Sequence, residues 1–114
     1  MKPTITYPDF DKLDLRIGKV IAATAPEWSE KLLEFTVDFG SEIGQKTILS
    51  GVKAWFAPEE FIDNYYVFVI NLAERKMGQG VSQGMMLMAD KDGVAIPFKV
   101  EASRGEVEPG LIVR

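Results

Sequence analysis

The sequence predicts a small closed all-β barrel of five strands in Greek-key order, with one short helix between strands 3 and 4. Three observations predict it. Residues 32–39, LLEFTVDF, alternate strictly: Leu33, Phe35, Val37 and Phe39 share one face, while Glu34, Thr36 and Asp38 share the other. The rest of the chain breaks into short β-prone runs separated by Gly, Pro and Asp clusters, with no long helical period. The first run, Leu15–Thr24, is long and loses strict alternation near Gly18, which favours a curling barrel strand over a flat sandwich strand.

The elements follow in order. Residues 1–9 carry Pro3 and Pro8 and read as an extended arm. Residues 10–15 follow a potential cap at Asp9 and predict one helical turn with Phe10 and Leu13 on the core side. Leu15–Thr24 is the first strand, with a bulge or bend expected near Gly18. Residues 25–31 form a hairpin-like connection around Pro26, and residues 32–39 the second strand. A polar turn at 40–44 precedes the third strand, which begins by Thr47. Pro58 followed by Glu59 and Glu60 is a helix-start signature, and Trp55 with Phe56 is expected to pack that helix on the barrel. Residues 65–71, YYVFVIN, make the fourth strand and residues 84–89 the fifth. The DKDG turn at 90–93 leads into residues 94–100, which Pro97 interrupts; the tail then turns at Gly105 and at Pro109-Gly110 before Leu111, Ile112 and Val113. The expected organisation is one domain over residues 1–114, with an N-terminal arm at 1–9 and a C-terminal extension at 101–114.

Composition excludes more than it selects. The chain has no Cys and no His, so the usual general base, thiol nucleophile and zinc ligands are all missing, and an enzyme is not expected. No cofactor is expected either, and no regularly spaced acidic loop points to a bound metal. The formal net charge is −4, from 13 basic and 17 acidic residues, so any polyanion would have to bind a local basic patch. No stretch approaches the ~18 apolar residues of a membrane helix, and a cytoplasmic protein without a membrane partner is the expectation.

The candidate binding element is residues 71–88, NLAERKMGQGVSQGMMLM. Adjacent cations Arg75 and Lys76 stand beside Gly78, Gly80 and Gly84 between two apolar runs, reading as an exposed loop on a rigid scaffold.

Asp14, Arg16, Gly18 and Val20, then Leu32, Val37-Asp38 and Gly40, then Ile48 with Ser50-Gly51, and finally Asn71-Leu72 with Ser82-Gln83-Gly84-Met85, together resemble the tRNA-binding domain family. That family is found at the C-terminus of many methionyl-tRNA synthetases, in synthetase-associated cofactors, and as small secretion-chaperone-like proteins. The resemblance spans residues 10–114. It implies an oligonucleotide-binding (OB) fold, a homodimer built partly from the terminal segments, and non-catalytic tRNA binding auxiliary to a methionyl-tRNA synthetase. The sequence departs from the family after the first strand: where His-Pro is typical it has Ala25-Pro26, and a large indole, Trp28, follows.

Each candidate also has a structural reading. Arg16 and Lys19 lie on the first strand, where cations meet phosphates on barrels of this class; Arg16 is equally suited to pair with Asp14 or Asp38. Lys31, Lys53, Arg75 and Lys76 are candidate phosphate contacts, the last two alternatively bridged to Glu74. Asn71 either reads ligand or locks a loop. Ser82, Gln83, Gly84 and Met85 offer a hydroxyl, an amide, backbone donors and a thioether to an unpaired nucleotide, or else form a tight strand start with Met85 in the core. Trp28 is a stacking or interface candidate. The alternative function is a chaperone-like module that binds peptides or a partner protein through its methionines.

Overall fold

In the computed structural model, which describes residues 1–114, the first element is not the expected arm alone. Residues Tyr7–Phe10 form a single α-helical turn, α1, capped by Thr6 rather than Asp9: the Thr6 hydroxyl donates to Asp9 at 3.1 Å, and Asp9 reaches back to the Thr6 N–H. Pro8 is tolerated because the first helical turn has no internal use for its N–H. The expectation of a helix at 10–15 facing the core fails, since Phe10 and Leu13 are both exposed.

Ten strands follow: β1 Leu15–Thr24, β2 Leu33–Asp38, β3 Gln45–Ser50, β4 Tyr65–Val69, β5 Arg75–Met77, β6 Gly80–Ser82, β7 Met85–Met86, β8 Met88–Lys91, β9 Val94–Pro97 and β10 Ile112–Val113. The main antiparallel sheet runs β3-β2-β1-β4-β7, a near-closed five-stranded barrel of the OB type, and β10 adds to the start of β1. Between β3 and β4 the expected helix is only a 3-10 turn, Pro58–Glu60. Phe56 packs on it through Phe61, at 5.6 Å between rings, but Trp55 stays exposed.

The barrel curls because β1 serves two sides. Its first half pairs with β4 from Leu15↔Val69 to Lys19↔Tyr65, and its second half with β2 from Lys19↔Asp38 to Thr24↔Glu34. The register slips between Val20 and Ala22, so the bulge sits at Ile21 and not at Gly18. Gly18 has a packing task instead. A Cβ there would fall 2.5 Å from Val37 Cγ1 and 2.6 Å from Phe39 Cε1, so the missing side chain is what lets the core aromatics reach β1.

The alternation of β2 holds as read: Leu33, Phe35 and Val37 are fully buried. They centre a core with Val20, Ile48, Phe61, Tyr66, Phe68 and Met86. Phe35 and Phe61 meet at a 46° tilt with ring centres 4.7 Å apart, and Phe39 meets Phe68 edge-on at 5.2 Å. The expected fifth strand at 84–89 is divided: Met85–Met86 pairs with β4, whereas Met88–Lys91 leaves to form a separate ribbon with β9. Pro97 ends that ribbon, at the point where the sequence breaks residues 94–100.

Candidate nucleic-acid interface

The stretch expected to be an open loop is a β-hairpin. β5 and β6 pair Arg75↔Ser82, Lys76↔Val81 and Met77↔Gly80, with Gly78 at φ +62° in the turn. The hairpin lies over the outer face of β3. Adjacent Ile48 and Leu49 are both buried, which a strand permits only when opposite faces are covered: Ile48 belongs to the core, and Leu49 lies beneath the hairpin.

Side chains sew the hairpin to β3. Ser82, itself buried, accepts the Leu49 N–H at 3.0 Å and donates to the Gly84 carbonyl at 2.9 Å. The Gln83 side-chain oxygen accepts the Thr47 N–H, and the Gln83 N–H donates to the Thr47 carbonyl, both at 2.8 Å. Gly84 is where the chain passes under β4, since a Cβ there would meet the Val69 carbonyl at 2.7 Å. Met85 is exposed; its neighbour Met86 is the core residue.

The cations differ in how far they are engaged. Arg75 and Lys76 are exposed and form no ion pair, and Glu74 turns instead to the Gln83 amide at 3.4 Å. Successive positions on β5 put Arg75 and Lys76 on opposite faces of the ribbon. Arg75 lines a groove of about 620 Å³ with Ser50, Gly51, Met77, Met85 and Met88. Lys31 is exposed. Lys53 is half-buried: its N–H donates to the Lys31 carbonyl at 3.2 Å and its ammonium to the Ser29 carbonyl at 3.0 Å, tying the 50–53 corner to the 25–32 loop. Trp28, also on that loop, is half-buried with its indole against Gly78 and Gly80 of the hairpin.

The structure therefore brings Trp28, Lys31, Lys53, Arg75, Lys76, Ser82, Gln83, Gly84 and Met85 onto three connected segments. Arg16, Lys19 and Asn71 are engaged elsewhere. Arg16 donates to Asp14 at 2.7 Å and to the Gly110 carbonyl at 3.1 Å, holding the C-terminal segment. Asn71 accepts the Asp14 N–H at 2.8 Å and donates to the Lys12 carbonyl at 2.7 Å, holding the N-terminal one. Lys19 lies over the Tyr65 ring at 5.9 Å. Met77 and Met88, read in the sequence as part of an adaptable methionine surface, line the groove, and Leu49 and Leu72 join them although sequence reasoning did not select them as site residues. The one available signal was the adjacent apolar pair Ile48-Leu49, which a single buried face does not require.

Residues 15–110 match the family model described as "Putative tRNA binding domain". The chain belongs to the tRNA-binding domain family. Curated relatives include the methionine–tRNA ligases of Xanthomonas campestris pv. campestris (strain 8004), 48% identical over 111 residues and 96% of this chain, and of Dichelobacter nodosus, 48% identical over 112 residues and 98% of this chain. The chain spans only 16% of the length of either ligase. Among solved structures, a MetRS-related protein from Pyrococcus horikoshii superposes with a TM-score of 0.89 at 28% identity, covering 99% of this chain and 100% of that one. The chaperone CsaA of Bacillus anthracis shares the fold, with a TM-score of 0.85 at 24% identity over 98% of this chain and all of that one. The domain is a binding module related to methionyl-tRNA synthetases, with no group of three His, Cys, Asp or Glu side chains placed to hold a metal ion.

Proposed function

We propose that this domain binds tRNA without catalysis, as one unit with its terminal segments, and acts in the cytoplasm as an auxiliary grip for a methionyl-tRNA synthetase. The observation that carries this reading is the pair Arg75 and Lys76, exposed and free of ion pairs on a hairpin held rigidly to the barrel. A preformed cationic projection neutralises phosphates without first breaking internal pairs. Lys31 and Lys53 extend the cationic surface along the neighbouring loop and corner, and Met85 with the Gly84 backbone faces an adjoining nucleotide. Arg16, Lys19 and Asn71, which sequence reasoning also nominated, are left to hold the framework.

The working form is a homodimer. Ile5, Tyr7, Phe10, Leu13, Leu111 and Ile112 are all exposed, and the two terminal segments flank a common cleft of about 430 Å³, an arrangement that a second copy would bury. A sedimentation measurement at micromolar concentration should give twice the 12.7 kDa chain mass; a monomer would contradict the dimer. For binding, log affinity for tRNA should fall linearly with log salt, and negligible affinity at low salt would contradict the reading.

A second reading draws support from one observation. Met77, Met85, Met86 and Met88 all line the Arg75 groove, and such adaptable thioether surfaces suit apolar peptide side chains. Retention of an unfolded polypeptide that tRNA fails to displace would favour it.

A further inference from the structure

We infer that Trp28 is the positioning residue that fixes the Arg75–Lys76 hairpin in its tRNA-binding attitude; this rests on the proposed role of those two cations. β5 and β6 join neither the main sheet nor the β8–β9 ribbon through a strand ladder, and the ribbon is only three residue pairs long. A two-stranded ribbon of that length does not hold itself in water, so its attitude is set by what it rests on. One support is the Ser82–Gln83 seam at its base. The other, nearer the turn, is the indole.

The fit there is close. A Cβ on Gly78 would fall 2.5 Å from Trp28 Cζ3 and 3.0 Å from Cε3, and one on Gly80 would fall 3.1 Å from Cζ2 and 3.2 Å from Cη2. The six-membered ring of the indole thus lies directly on the backbone of both glycines, one in the hairpin turn and one at the start of β6. Gly80 is also pressed from the barrel side, since the same Cβ would meet Leu49 Cδ1 at 2.9 Å. The turn end of the hairpin is thereby set between Leu49 below and Trp28 beside it. The loop carrying Trp28 is itself anchored, through the Lys53 ammonium on the Ser29 carbonyl and the Ser29 hydroxyl accepting the Lys31 and Leu32 N–H groups at 3.2 and 3.1 Å.

An aromatic ring laid on glycine backbone excludes water and blocks rotation of the ribbon about its base. Removing it leaves the cations present but dispersed over so many orientations that the cost of ordering them offsets their phosphate contacts, which then no longer form. The side of the ring that covers the glycines is unavailable for base stacking, and its contact there is with the hairpin backbone.

The test is a cycle of tRNA affinity against salt for wild type, Trp28→Ala, Arg75→Ala/Lys76→Ala and the triple variant, with melting temperature recorded for each. Trp28→Ala is expected to weaken binding on the order of tenfold and to lower the salt slope by about one to two, as the cation pair substitution does, with no further loss in the triple variant. Trp28→Phe should recover part of the affinity. Gly80→Ala, whose methyl group would press on both Leu49 and the indole, should also speed amide exchange at residues 75–82; Gly78→Ala, whose methyl group would meet the indole first, should reproduce the loss and carries the test if Trp28→Ala does not fold. If the cation pair matters but Trp28→Ala leaves affinity and slope at wild-type values, or the losses add independently, the positioning role is overturned and the tRNA reading stands. If Arg75→Ala/Lys76→Ala itself changes nothing, both fall together.

Discussion

Where β1 meets β2 and β4 the barrel is held by backbone ladders broken only at the Ile21 bulge, whereas where β3 meets residues 82–84 it is held mainly by side chains. The ladder side requires only alternating apolar residues and is indifferent to most outward-facing ones. The side-chain seam requires a serine and a glutamine at fixed positions, because their short polar groups supply the acceptors that a strand would otherwise provide. That difference explains why Ser82-Gln83-Gly84 can look like a ligand-contact motif in sequence. Ser82 and Gln83 do contact something specific, the backbone of β3, and Gly84 lies close against the Val69 carbonyl of β4.

Substitutions graded by effect sharpen the contrast. Phe35→Ala removes a fully buried ring at the centre of the core and should cost about 3–5 kcal/mol, lowering the denaturation midpoint of the whole domain. Ser82→Ala leaves the Leu49 N–H and the Gly84 carbonyl without their partner and should cost about 1–3 kcal/mol, with faster amide exchange concentrated at Leu49 and in the hairpin. An exchange pattern spread evenly over β1, β2 and β4 would contradict a local seam. Gln83→Ala should cost less, about 0.5–1.5 kcal/mol, because the Gln83 backbone bond to Thr47 survives and the site is only half-buried.

The smallest effect concerns alkaline pH. Burial raises the Tyr66 phenol above its ordinary 10.0; the Asn64 hydrogen bond opposes the rise and Glu60 adds to it. The unfolded chain then ionises first. Stability should be level below about pH 10 and decline as the pH climbs toward the folded-state value. Tyr66→Phe should flatten that decline in a urea-midpoint series, and an unchanged slope would remove Tyr66 from the account.

The same contrast governs how much was legible in the sequence. β2 could be read directly, because Leu33, Phe35 and Val37 need only a half-buried strand to explain their spacing. The barrel class followed from several such short runs. The N-terminal turn was misread because Thr6 and Asp9 both suit capping, and the choice between them depends on where Pro8 can sit. Gly18 was misread as a bend since a glycine needed for core clearance looks the same in sequence as one needed for backbone freedom. At the site, the exposed cations Arg75 and Lys76 could be nominated from their glycine-rich context. The tasks of Ser82, Gln83 and Trp28 could not, because their partners Leu49, Thr47, Gly78 and Gly80 lie 33 to 52 residues away. For Arg16 and Asn71 the structural alternatives were legible, since Arg16 pairs with Asp14 and Asn71 bonds backbone groups; only their distant partners, the Gly110 carbonyl and the Lys12–Asp14 backbone, were not.

The central claim is that the hairpin divides its labour, with Arg75 and Lys76 gripping phosphate while Ser82 and Gln83 hold the hairpin in place. One paired measurement tests it most directly: tRNA affinity across a salt series, and melting temperature, for Arg75→Ala/Lys76→Ala beside Ser82→Ala. The double variant should melt like wild type yet lose affinity on the order of tenfold, with a salt slope shallower by about one to two. Ser82→Ala should melt lower and, at a temperature where it is fully folded, retain most of its salt slope, because the Gln83–Thr47 bonds and the Trp28 contact still support the hairpin. Wild-type affinity in the double variant, or a loss of affinity in Ser82→Ala with no loss of stability, would contradict the division.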